Sequence, residues 1–224
     1  MCGRFSEKYT WKELHDLYSL TYGFVDADWR PKFNIAPTTQ IPVIRFIDGA
    51  RRVDLMRWGL VPAWSKEIGT FATHNARGDA CDSKPAYRGA WKAGRRCIIP
   101  ASSFFEWRKP DKQPFAIGLG NHGPLAFAGL WEEWKPKDGS APILSATIIT
   151  TEPNAMMRAI HDRMPVVLGE ENWAAWLGEE PATHEQLKAT LAPFPAERMS
   201  AWEVGKDVGN VKNQGEKLVE EVEI

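Results

Sequence analysis

Between residues 41 and 150 the chain is a succession of short apolar runs, each closed by glycine, proline or charge. "IPVIRF" and "RRVDLMRWG" flank Ile47-Asp48-Gly49-Ala50. An Asp-Gly pair between two such runs predicts a hairpin. "RRCIIP", "QPFAIGL", "LAFAGLWEEW" and "LSATIIT" follow, each of strand length. Helical signals do not alternate with them. Thr10-Trp11-Lys12-Glu13 is a capping box that predicts a helix to about Leu20. "TEPNAMMRAI" predicts a helix entered through Thr151, with Pro153 in its first turn. "EENWAAWLG" predicts a helix closed by Gly178, and Thr183-His184-Glu185-Gln186 opens another. A doubly wound parallel sheet needs regular β/α alternation, which is missing. The expected fold is α+β, with a curved, mostly antiparallel, barrel-like sheet and short flanking helices. No linker divides the chain, so residues 1–224 are expected to form one domain, with 217–224 as a loose acidic tail.

Eleven tryptophans and ten phenylalanines supply a core and argue against disorder. The three cysteines, Cys2, Cys81 and Cys97, contain no C-x-x-C pair and cannot all pair, so neither a disulfide framework nor a zinc ribbon is supported. The five histidines lack metal-ligand spacing, and no cofactor fingerprint occurs, so no metal or cofactor is expected. No apolar h-region or membrane-length run is present, which leads to the expectation of a cytoplasmic protein with no membrane partner. The net charge of −1 hides an asymmetry: residues 71–112 carry nine Lys/Arg against four Asp/Glu, and residues 164–224 five against twelve. A basic region of this kind can hold an anion if its charges converge.

The polar stretches that could carry chemistry are few. "MCGRF" puts Cys2 behind the initiator Met1. With Met1 removed, Cys2 would bear a free amine beside its thiol, a reagent specific for aldehydes; otherwise it is a small residue for the core. "THNARGDA" groups His74, Asn75 and Arg77; "SFFEWRK" sets Glu106 between aromatics; "AIHDRMP" holds His161, Asp162 and Arg163. Taken singly, each has an ordinary structural reading. His161 would be a satisfied histidine, Glu106 a solvent-facing strand residue, and Arg77 the partner of Asp79.

Taken in order they form a pattern. "MCGRF", "WGLVPAW" at 58–64, "NAR" at 75–77, "FFEW" at 104–107, "HDRMP" at 161–165 and "VGNVKNQG" at 208–215 together resemble the SOS-response-associated peptidase family, also described as abasic-site processing proteins. The resemblance covers nearly the whole chain. It implies recognition of abasic sites in single-stranded DNA and a covalent thiazolidine crosslink through Cys2. It also implies the catalytic set Cys2, Asn75, Glu106 and His161, with Thr150 in support. Arg4, Arg77, Lys84 and Arg163 are implied as phosphate ligands, and Trp64 and Trp107 as base-stacking residues. The stretch between Trp64 and Thr73 is variable in character, which leaves preference for single strands or junctions open. Self-removal of Met1, abasic-site lyase activity and crosslink reversal are further implied activities. The partner expected is abasic single-stranded DNA, bound by a monomer. Two other readings stand beside it: a cysteine peptidase of protein substrates using Cys2 and His161, and a non-covalent DNA-binding module in which Cys2 is incidental.

Overall fold

The computed structural model describes residues 2–23, 30–69 and 72–222. Thirteen strands are described: β1 (Phe5–Glu7), β2 (Tyr22–Gly23), β3 (Lys32–Ile35), β4 (Gln40–Ile47), β5 (Ala50–Trp58), β6 (Asn75–Arg77), β7 (Arg96–Ala101), β8 (Ser103–Trp107), β9 (Pro114–Leu119), β10 (Leu125–Trp134), β11 (Ile143–Thr151), β12 (Met164–Pro165) and β13 (Met199–Glu203). Four short helices accompany them: α1 (Trp11–Leu17), α2 (Arg88–Lys92), α3 (Trp173–Leu177) and α4 (His184–Ala189). The mixed, strand-dominated single domain is the α+β fold that the apolar runs predict.

The strands form two sheets. In the larger, β11, β10, β7, β4 and β5 follow one another antiparallel, and β5 returns to β11 in parallel through Arg57–Ser145 and Trp58–Ala146. That return closes a five-stranded barrel and removes its free edges. β6 and β12 both pair with β11, so Asn75, Arg77 and Thr150 hang on one barrel strand. The second sheet runs β13-β9-β8-β1-β3. Its β1 pairs with β8, Phe5 opposite Phe104, which brings the amino terminus beside Glu106.

Why these elements form is largely local. Asp48 (φ 54°) and Gly49 (φ 76°) both take left-handed backbone, as a two-residue turn matched to strand twist requires. Both predicted capping boxes are made: the Thr10 side chain accepts from Glu13 N and the Thr183 side chain from Gln186 N. α1 stops at Leu17, short of Leu20, and Gly178 (φ 88°) closes α3.

Two expectations are corrected. "TEPNAMMRAI" is not an α-helix; only the 3-10 turn Met157–Ala159 forms. The side-chain oxygen of Asn154 accepts from Met157 N at 2.9 Å, so capping starts after Pro153 rather than at Thr151. Thr151 itself belongs to β11. Nor is the tail loose over its described part: Leu218 is buried, and Val222 N donates to Glu203 O.

One apolar cluster packs α1–α4 against the barrel. A second draws on both sheets and contains Cys2, Phe5, Trp58, Phe104, Phe127 and Ile148. Cys2 is therefore built into the core.

Candidate active site

Cys2 is anchored through its backbone. Asn75 Nδ2 donates to Cys2 O at 2.7 Å from strand β6. The Asn75 Oδ1 is buried and has no hydrogen-bond partner among the described residues. The Cys2 thiol is fully buried and donates to Arg4 O at 3.6 Å. Burial, with the nearby Glu106 carboxylate, raises the thiol pKa far above its ordinary value; the chain's positive amino terminus opposes that rise. In this arrangement the sulfur is a neutral thiol.

Glu106 is buried on β8, flanked by Phe105 and Trp107. Desolvation pushes its carboxyl up to about 7, against the opposing pull of the amino terminus. His161 Nε2 stands 3.8 Å from Glu106 Oε2. Burial lowers the imidazole pKa, helped by the amino terminus, while Asp162 raises it. A carboxyl near 7 beside a histidine is a pair that can give and take protons at neutral pH. Gly3, Arg4, Glu106, Trp107, Lys109, Lys112 and His161 line an open cleft of about 470 Å³.

A second group forms on β11. Thr150 is buried, and its carbonyl and hydroxyl accept from Arg163 Nη2 at 2.6 and 3.2 Å. Arg77 is 62% exposed and paired with Asp79 at 2.7 Å. Arg77 and Arg163 are close enough to repel, which helps lower the Arg163 pKa after burial. Two neighbouring guanidinium groups, one exposed and one half-buried, are suited to an anion.

The remaining predicted contacts divide. Arg4 reaches the cleft wall, but its guanidinium already donates to Asn34 Oδ1 (2.9 Å), Val208 O (2.8 Å) and Gly209 O (3.2 Å). It therefore braces the "VGNVKNQG" segment. Trp107 lies under Arg4, ring to guanidinium 6.0 Å, and is half-buried. Trp64 is 68% exposed, its Nε1 donating to Pro85 O, so it stands next to the turn that carries exposed Lys84. The structure thus joins Cys2 to Asn75, Glu106 to His161, and Thr150 to Arg163. It places Trp64 and Lys84 apart from the cleft that holds Glu106.

Sequence reading passed over two residues, Asn34 and Gln214. Asn34 donates to the carbonyls of Val208, Asn210 and Asn213, and Gln214 Oε1 accepts from Phe33 N and Asn34 N. These contacts explain why a Gly-rich polar stretch near residue 210 holds one shape. His74, half-buried, meets the Trp58 ring edge-on at 5.9 Å and feels the amino-terminal charge. The sequence groups it with Asn75 and Arg77, and the structure keeps it directly before Asn75. Among the described residues no group of three His, Cys, Asp or Glu side chains is placed to hold a metal.

The fold and site define a barrel protein with a buried cysteine at position 2, near buried Glu106 and the half-buried His161 beside it. The chain belongs to the SOS response associated peptidase (SRAP) family, whose family model matches residues 1–211. It is 37% identical to the abasic site processing protein YoqW of Bacillus subtilis, over 98% of this chain and 99% of that protein. With the abasic site processing protein HMCES of Gallus gallus it shares 32% identity, over 89% of this chain and 68% of that protein. The crystal structure of a protein from Bacteroides thetaiotaomicron superposes with a TM-score of 0.87 at 25% identity, covering 99% of this chain and all of that one.

Proposed function

We propose that this protein processes abasic sites in single-stranded DNA by trapping the lesion on Cys2 once Met1 has been removed. The observation that carries the reading is the convergence of Asn75, Glu106 and His161 around the amino terminus, in a chain whose relatives are named abasic site processing proteins. The chemistry follows from these groups. An abasic deoxyribose opens to an aldehyde. The α-amine, with an ordinary pKa of about 7.7–8.0, is partly neutral at cellular pH and adds to the aldehyde carbon. The hydroxyl so formed leaves as water with a proton from Glu106 or His161, giving an iminium. The thiol then adds to the same carbon, its proton passes to the glutamate–histidine pair, and a five-membered thiazolidine results. Because both nucleophiles belong to one residue, ring closure is intramolecular. The unpartnered Asn75 Oδ1 is the acceptor available to orient the amine.

The buried thiol fits this order of events. Its raised pKa keeps it neutral, so the amine attacks first and the sulfur closes the ring only with a base at hand. The same acid–base pair would serve lyase-type elimination, crosslink reversal and self-removal of Met1.

The test is incubation of Met1-processed protein with single-stranded DNA carrying one abasic site, followed by heating in SDS and gel separation. A shifted band that needs the lesion and disappears with Cys2→Ala is expected. Glu106→Gln should slow its appearance about 100-fold. No shifted band from confirmed processed protein sinks the crosslinking proposal.

A further inference from the structure

The ion pair at the mouth of the cleft has no part in the chemistry above. Lys109 Nζ, in the turn after β8, lies 2.9 Å from Asp162 Oδ2. The other oxygen of that carboxylate, Oδ1, lies 2.9 Å from His161 Nδ1. Across the ring, Nε2 faces Glu106. A line of charge thus runs from an exposed lysine through an exposed carboxylate and the imidazole to the buried glutamate. His161 Nδ1 also lies 3.1 Å from Arg163 N. The two contacts at Nδ1 exclude one another. Toward the Arg163 N–H it must be an acceptor, which puts the ring proton on Nε2, facing Glu106. Toward Asp162 it must be a donor, which makes Nε2 an acceptor in the neutral ring, or both nitrogens donors in the charged one.

We propose that Asp162 is a positioning residue that selects the proton-bearing nitrogen of His161, and that Lys109 restrains it until a DNA phosphate draws the lysine away. The first half stands on the free protein; the second rests on the DNA reading above. With Lys109 on Asp162, the carboxylate is partly neutralised and Nδ1 accepts from Arg163 N–H. Once Lys109 turns to a phosphate, the ring takes up a proton from solvent at Nδ1, and Asp162 accepts a hydrogen bond from that Nδ1–H and so supports the imidazolium. His161 would then become an acid only when substrate is seated. The electrostatics have the matching signs: Asp162 raises the His161 pKa and Lys109 lowers it. Glu106 on β8, the amino terminus, and Arg4 and Lys112 on the cleft wall are the other charges about the ring.

The test is an NMR titration of the His161 imidazole in the whole protein without DNA, with its tautomer read from the ring nitrogen shifts. Asp162→Asn is expected to lower the midpoint and leave the neutral ring's proton on Nε2. Lys109→Met is expected to raise the midpoint and draw that proton toward Nδ1, and Asp162→Glu to restore the wild-type direction. Opposite movements would not arise from a general loosening, and both positions are mostly exposed, so folding is spared. A midpoint that stays put in both variants overturns the proposal. Adding undamaged single-stranded oligonucleotide should then raise the wild-type midpoint more than that of Lys109→Met. Equal rises overturn the restraint by Lys109. An oligonucleotide that does not bind at all counts against the DNA reading and the lysine exchange, while the shifts in free protein still decide the role of Asp162.

Discussion

Glu106 shows how much a single residue can cost a fold. Its carboxyl ionises near 7 in the folded chain, raised by burial from an ordinary 4.5. The folded state therefore holds the proton more tightly than the unfolded one. This contribution is fully present below about pH 4 and is lost as pH rises toward 7. Above that, the buried carboxylate costs on the order of 3 kcal/mol. Glu106→Gln should therefore be more stable than wild type in urea unfolding at pH 8. The gap should close toward pH 5. An equal gap at both pH values would mean that the carboxyl is not titrating where burial places it. A buried carboxyl with this profile is a candidate for chemistry, which is the role proposed for Glu106 above, and "FFEW" points the same way: a lone acid among aromatics in a strand breaks the apolar pattern. Arg4 was less legible. Its partners Val208 and Gly209 lie more than 200 positions away, so no local pattern could reveal that its guanidinium was already committed.

At the scale of elements, two glycines separate local from tertiary causes. Gly49 sits in the β4–β5 turn at φ 76°, and a Cβ there would meet nothing within 4 Å. Gly49→Ala then costs only the backbone preference, about 1 kcal/mol. Gly129, in the middle of β10, has ordinary φ, but a Cβ would lie 2.8 Å from Thr147 O and 2.9 Å from Cys97 Sγ. Gly129→Ala should cost more, about 2–3 kcal/mol, because barrel strands must move. Thermal unfolding of both variants checks the order, and an equal loss would mean the barrel yields easily at Gly129. The first glycine was readable in the sequence as Asp-Gly between two strand runs. The second was not, since "FAGLW" carries no sign that a neighbouring strand crosses so close. The same division explains the missed turn at 154–160. A capping signal at Thr151 was outcompeted by β11, which keeps Thr151 paired with Met164, and by Asn154, which starts its own turn three residues on.

For the whole molecule, a net charge of −1 says little about DNA, because binding depends on where the charges gather. The motif order proposes the site's residues, but it is the pairing of both β6 and β12 with β11 that sets Arg77 beside Arg163. Lys84 and Trp64 gather separately at the turn near Pro85. Under the proposed DNA reading, the two groups would make different contacts and respond differently to salt. Each phosphate neutralised on a single strand contributes about 0.7 to the slope of log affinity against log salt. Arg77→Ala should flatten that slope by about 0.7, and Arg163→Ala by a similar amount with some loss of stability, since Arg163 also ties Thr150. Trp64→Ala should leave the slope unchanged while weakening binding by about 1–3 kcal/mol, the worth of one stacked base. Fluorescence anisotropy with an undamaged single-stranded oligonucleotide, measured from 50 to 200 mM salt, separates the three; these concentrations span about the range over which phosphate contacts dominate affinity. If Arg77→Ala keeps the wild-type slope, its guanidinium stays with Asp79 in the complex, and the phosphate must be held elsewhere. If Trp64→Ala changes the slope rather than the offset, the exposed indole acts by placing Lys84, not by stacking.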